Sequence, residues 1–156
     1  MTAQLIFDLV PIGAIVAWSD GTPRPSERHT KKLAAWRTNN GRGRLIRKEG
    51  RRVLGTVVIP AGFVLHESDL GSGDVVVMRI HRSLSTTSTL RFAVVECPPI
   101  GSVCVFDRPG PRQELVHLAA NRAEAEAWLA HCGYPSAVID DVVAGEVAVA
   151  GEGRVA

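Results

Sequence analysis

The sequence predicts an α+β fold: a mainly antiparallel sheet of six or seven strands, one basic helix inserted after a first hairpin, and a helical pair near the C-terminus. Two observations point to the sheet. Asp74–Arg82 alternates, with Val76, Met78 and Ile80 on one face, and Thr89–Glu96 alternates, with Leu90, Phe92 and Val94 on one face. A third points to the helices: the apolar period lengthens in 27–38 and again in 121–131.

In chain order, Gln4–Val10 and Ala14–Ser19 read as two strands joined by the Pro11-Ile12-Gly13 turn, with Leu5, Phe7 and Leu9 facing inward. The run Ser19–Pro25 breaks regular structure, and Ser26 is the expected N-cap of a helix from about Glu27 to Thr38. On that helix His29, Leu33 and Trp36 share an arc, while Arg28, Lys31 and Lys32 cluster roughly 120° away. One face can therefore dock while the other stays basic.

Strand-like runs follow at Arg44–Lys48, Val53–Pro60 and Gly62–His66, and a loop is expected over Glu67–Gly73. The polar segment Ser83–Ser88 joins the two alternating strands, and Ser102–Asp107 adds another. Asn121 followed by Glu124 resembles a capping box for a helix to His131, which Gly133 and Pro135 end. Ser136–Val143 reads as a second short helix. Residues 1–144 are expected to form a single domain, with the tail 145–156 frayed.

At 156 residues the chain suits one domain, and 46% apolar against 22% charged residues argues against whole-chain disorder. The apolar stretch Leu5–Trp18 holds Asp8 and Pro11 and follows no basic segment, so it reads neither as a signal peptide nor as a spanning helix. No membrane association and a cytoplasmic location are expected. Cys97, Cys104 and Cys132 contain no C-x-x-C pair and read as buried thiols.

The formal net charge of +2 conceals an uneven distribution. Residues 21–52 carry eleven basic side chains against Glu27 and Glu49, for +9, whereas residues 1–20 carry −2 and residues 53–156 carry −5. Such a block is the electrostatic footprint that anionic polymers recognise. The candidate binding residues are Arg28, Lys31, Lys32, Arg37, Arg42, Arg44, Arg47 and Lys48, with Gly41 and Gly43 expected to let backbone approach phosphate closely. Arg79, His81 and Arg91 form a possible second basic patch. The helical pair at 121–144 has the outline of a helix–turn–helix, but its second member carries Asp140 and Asp141 and no cation, which phosphate would repel.

The five histidines are scattered without i, i+3 or i+4 spacing, so no metal site and no cofactor is expected. Isolated G-x-G pairs at 41–43 and 71–73 lack the rest of a nucleotide fingerprint. The leading expectation is a small non-enzymatic protein contacting nucleic acid or a nucleoprotein complex, mostly through phosphate. The first alternative is a protein-interaction module or inhibitor, such as a mobile-element protein blocking a host nucleoprotein machine, with a homodimer possible. The second is a small enzyme of unrecognised type, for which His66, Glu67 and the Ser/Thr run 83–89 would have to meet in a polar cleft.

Overall fold

A computed structural model of the chain describes residues 1–144; the tail expected to fray, 145–156, lies outside the described residues. The mainly antiparallel α+β architecture predicted above is the one observed.

The first element departs from expectation. Residues Ala3–Leu9 form a helix, α1, not a strand, so the basic segment does not follow a hairpin. Thr2 caps it by accepting the Leu5 N–H at 3.3 Å. The burial explains the choice: Ala3, Ile6 and Val10 are fully buried at i, i+3, i+7 spacing, whereas Leu5 and Leu9 are 42% and 37% exposed. The alternation of Leu5, Phe7 and Leu9 was a competing pattern, and the helical one buries more.

Strand β1 (Ile15–Ser19) leads into the basic helix α2 (Thr30–Asn39), which is followed by β2 (Gly41–Glu49). Helix α2 starts three residues later than expected: Ser26 serves a turn by accepting the His29 N–H at 2.9 Å, and His29 stands at the N-cap without a side-chain bond. The apolar run after β2 folds on itself as a small hairpin, β3 (Arg52–Leu54) and β4 (Val57–Ile59), around Gly55 at φ +61°.

Next come β5 (Gly62–Ser72) and β6 (Val75–Ser85), a long hairpin, and β7 (Arg91–Glu96). The expected loop at Glu67–Gly73 is strand as far as Ser72, because register shifts at Glu67 and near Gly71 keep it paired with β6. Bulges interrupt the two-residue alternation, which hides the strand from a periodicity reading.

The main sheet has the order β6-β5-β2-β1-β7, so the alternating strands β6 and β7 lie at opposite edges. On a flat sheet β5 and β7 would be three spacings, about 14 Å, apart. Yet Phe63 on β5 and Phe92 on β7 meet edge to face at 5.6 Å, and the Arg82 guanidinium on β6 lies 5.0 Å from the Trp18 ring on β1. The sheet is therefore curled. Its concave side holds the first core: Ile6 and Val10 of α1 and its end, with Val16, Trp18, Leu45, Phe63, Leu65 and Phe92.

Against part of the convex side packs a second sheet, β10-β8-β9, built from β8 (Val103–Phe106), β9 (Leu115–Ala119) and β10 (Val138–Asp141). Strand β8 is buried on both faces. Cys104 and Phe106 join Ile46 and Val64 of the main sheet, while Val103 and Val105 pack under α3 (Arg122–His131) with Ala125. The buried Cys104 thus fills apolar space, whereas Cys97 and Cys132, also expected to be buried, are half-buried. Helix α3 begins as the sequence indicates, with Asn121 Oδ1 accepting the Glu124 N–H and Glu124 accepting the Ala120 N–H, both at 2.9 Å.

The second helix of the expected pair is absent, because Ser136–Val143 contains β10. The β-branched Val138 and Ile139 pair with Phe106 and Val105, completing the open side of β8, and the buried Val142 closes the second core. The outline of a helix–turn–helix goes with it. Among the described residues no helix is long and apolar enough to cross a membrane.

Candidate functional site

Helix α2 is moored to the curled sheet chiefly by polar bonds. Leu33 is its one buried apolar anchor. Trp36 donates its indole N–H to the Thr22 carbonyl at 2.9 Å, and Trp18 of β1 donates to the Thr38 carbonyl at 3.4 Å. Trp36 is thus a fastening, and its polar edge is committed.

The base of α2 is tied by Asp20 and the buried Asn40. Asn40 Oδ1 accepts from Ser19 Oγ at 2.6 Å, and Asn40 Nδ2 donates to Asp20 Oδ1 and to the Trp36 carbonyl, each at 3.0 Å. Asp20 Oδ1 also accepts the Thr22 hydroxyl at 2.6 Å and the Thr22 N–H at 2.9 Å. These donors favour the carboxylate and lower the Asp20 pKa to about 2, with the Thr22 hydroxyl the largest cause, then the Thr22 N–H and Asn40.

This mooring holds out a run of cations. Arg28, Lys31, Lys32, Arg37 and Arg42 are all exposed, and no acidic residue falls anywhere from 28 to 42. The nearest preceding acid, Glu27, pairs with Arg24. Among the described residues no ion pair involves any of the five.

The other three sequence candidates are elsewhere. Arg47 bridges Glu114 at 3.0 Å and Glu49 at 3.1 Å, tying β2 to the start of β9. Lys48 places its ammonium 5.9 Å from the Phe7 ring of α1. Arg44 is half-buried and donates to the Gly13 carbonyl at 2.6 Å. The glycines also have other employment than expected. A Cβ on Gly41 would lie 2.6 Å from the Trp18 ring, and one on Gly43 would lie 2.7 Å from the His66 carbonyl oxygen, so both clear space for internal packing.

A second constellation was not legible in the residue spacing. Between the convex face and β9 lies a cleft of about 270 Å³, with Arg44 from β2, His66 and Asp69 from β5, Arg79 and His81 from β6, and His117 from β9. His66 Nε2 is 2.8 Å from Asp69 Oδ1, and the His66 and His81 rings meet nearly at right angles with centroids 5.7 Å apart. Arg79 Nε stands 3.8 Å from the same Asp69 oxygen. His117 stacks flat on Trp128 at 4.6 Å, with its Nε2 3.7 Å from Glu124.

The signal that locates this cleft is hairpin symmetry. His66 and His81 are equidistant from the Gly73–Asp74 turn, and the register pairs them directly. Spacing rules for a helix cannot see such a pair. The possible patch of Arg79, His81 and Arg91 divides, since Arg91 is on β7 at the other sheet edge, with its guanidinium beside Gly21.

The triad assembled from His66, Glu67 and the Ser/Thr run does not come together. Glu67 turns to the concave side, where it pairs with Arg82, and the run begins beyond His81, with Ser85 opposite Gly62. Among the described residues no group of three or more His, Cys, Asp or Glu side chains is arranged to hold a metal ion.

No curated protein and no solved structure matches the chain. A family does match it, over residues 1–146, and on that extent the chain belongs to the family described as Uncharacterised conserved protein UCP036055.

Proposed function

We propose that this protein is a non-enzymatic, cytoplasmic factor that contacts nucleic acid or a nucleoprotein complex through α2, the residues just before it and the start of β2. The observation that carries the reading is the exposed, acid-free run with five unpaired cations, Arg28, Lys31, Lys32, Arg37 and Arg42. Each can give charge-assisted hydrogen bonds to phosphate oxygens, and among the described residues none is held in an ion pair, although Arg28 spends its Nε–H on the neighbouring His29 at 3.2 Å. Arg44, Arg47 and Lys48, bound internally, contribute less. Contacts of this kind position a protein on a backbone and read little sequence.

The test is fluorescence anisotropy with labelled single- and double-stranded DNA and RNA, comparing wild type with a variant in which the five cations are alanine. The reading expects binding in wild type and its loss in the variant. Equal binding by both would contradict it.

A second reading, a protein-interaction module, is favoured by a different surface. The β3–β4 hairpin exposes Val53, Leu54, Val57 and Val58, and the distal β5–β6 hairpin exposes Leu70 and Val75–Met78, with Val77 78% exposed. Apolar side chains grouped in this way mark protein contacts more often than nucleic-acid contacts. A complex that survives nuclease treatment and is lost in Val77→Lys would favour this reading; capture abolished by nuclease would favour the first.

A further inference from the structure

We propose that the cleft between the convex sheet face and β9 is a binding site for a phosphate group, taken as inorganic phosphate or as the head of a small phosphate ester. The proposal does not rest on α2, whose cations are outside the cleft.

Four positively charged or protonatable groups from three adjacent strands meet here: Arg44, His66, His81 and Arg79. Arg44, His66 and His81 form one continuous cross-strand row, with Arg44 opposite His66 and His66 opposite His81. A row of this kind on a solvated sheet is costly unless something offsets the repulsion, since like charges directly opposite are destabilising. Inside the cleft Asp69 does so in part: one of its oxygens faces both His66 Nε2 and Arg79 Nε. Glu114 is engaged by Arg47, and Glu124 faces His117 from α3. Among the described residues, the remaining donors of Arg44 and Arg79 and the His81 imidazole have no carboxylate partner.

The geometry selects the ligand class. Arg44 is held by the Gly13 carbonyl, so its guanidinium is oriented before a ligand arrives. Guanidinium groups and imidazole N–H donors converging from several strands suit a tetrahedral oxyanion with several acceptor oxygens. At about 270 Å³ the cleft is at or just below the size of sites that enclose a whole drug-sized ligand, so it would hold a head group. Ile46, Leu115 and Leu118 line it as well and offer apolar contact to the attached organic part.

The experiment is a titration of the full chain with inorganic phosphate and with glycerol phosphate. It is followed by imidazole ¹⁵N NMR and calorimetry at one fixed pH, with sodium chloride at equal ionic strength as control. The expected result is saturable binding that perturbs His66 and His81. Arg79→Gln should weaken it at least tenfold, and His81→Asn should weaken it several-fold. Arg79 and His81 are exposed, so both variants are expected to fold; the five-alanine α2 variant should bind phosphate unchanged. Tighter binding of the ester than of phosphate assigns the site to esters, and the reverse assigns it to the free ion. Shifts no larger than those with chloride, binding retained in Arg79→Gln, or uptake of a divalent cation without phosphate would each overturn the proposal.

Discussion

Asp20 shows how one side chain can fix the presentation of a whole helix. Its carboxylate takes three bonds from Thr22 and Asn40, and its pKa falls from 3.8 to about 2 as a result. A depressed carboxyl pKa means that the folded state prefers the ionised form, so the stabilisation is present above about pH 4 and is lost as pH falls toward 2. Asp20→Asn should therefore be less stable than wild type at neutral pH, with the difference shrinking between pH 4 and pH 2. Urea denaturation of both proteins across that range measures it, and a pH-independent gap would contradict the carboxylate's role. Neither Asp20 nor Asn40 stands out in the sequence. Asp20 reads as part of a Gly/Pro-rich turn and Asn40 as a helix stop, and the bond between them depends on β1 and β2 lying side by side.

At the scale of elements, the strongly periodic ones were legible and the short ones were not. Strands β6 and β7 and helix α3 form where their patterns place them, although Val76 and Met78 of β6 stay exposed, and the Asn121 cap forms as its spacing indicates. The first nine residues fit two periods at once, and only the position of the curled sheet decides between them. The deciding contact is Ile6, fully buried among sheet residues, so Ile6→Ala should cost about 2–5 kcal/mol. Leu5→Ala, inward in the strand reading but half-exposed in the helix, should cost less than about 1 kcal/mol. Chemical denaturation of the two variants tests the assignment, and the opposite ranking would restore the strand. Strand β10 was missed for a related reason: four residues cannot establish a period, and their strand character comes from the open edge of β8.

Across the whole molecule, the charge block at 21–52 was the most informative feature of the sequence, but the fold divides it. Of its eight candidate binding residues, five remain exposed around α2, one orients in the cleft, and two hold β2 to its neighbours. Composition gives the total charge of such a block and says nothing of which members find internal partners. The cleft of Arg44, His66, Asp69, Arg79 and His81 was hidden for the complementary reason, since it exists only through hairpin register and the approach of the second sheet. Two cationic features thus occupy separate parts of one small chain, and each has its own test.

The central claim, phosphate contact through α2, is tested most directly by the salt dependence of binding to a short DNA duplex. Five phosphate contacts give a slope of log K against log salt of about −4.5, which is a loss of several hundred-fold between roughly 50 and 200 mM salt. The account predicts a slope near that value for wild type and one near zero for the five-alanine variant. A wild-type slope near zero, or an unchanged slope in the variant, would contradict it.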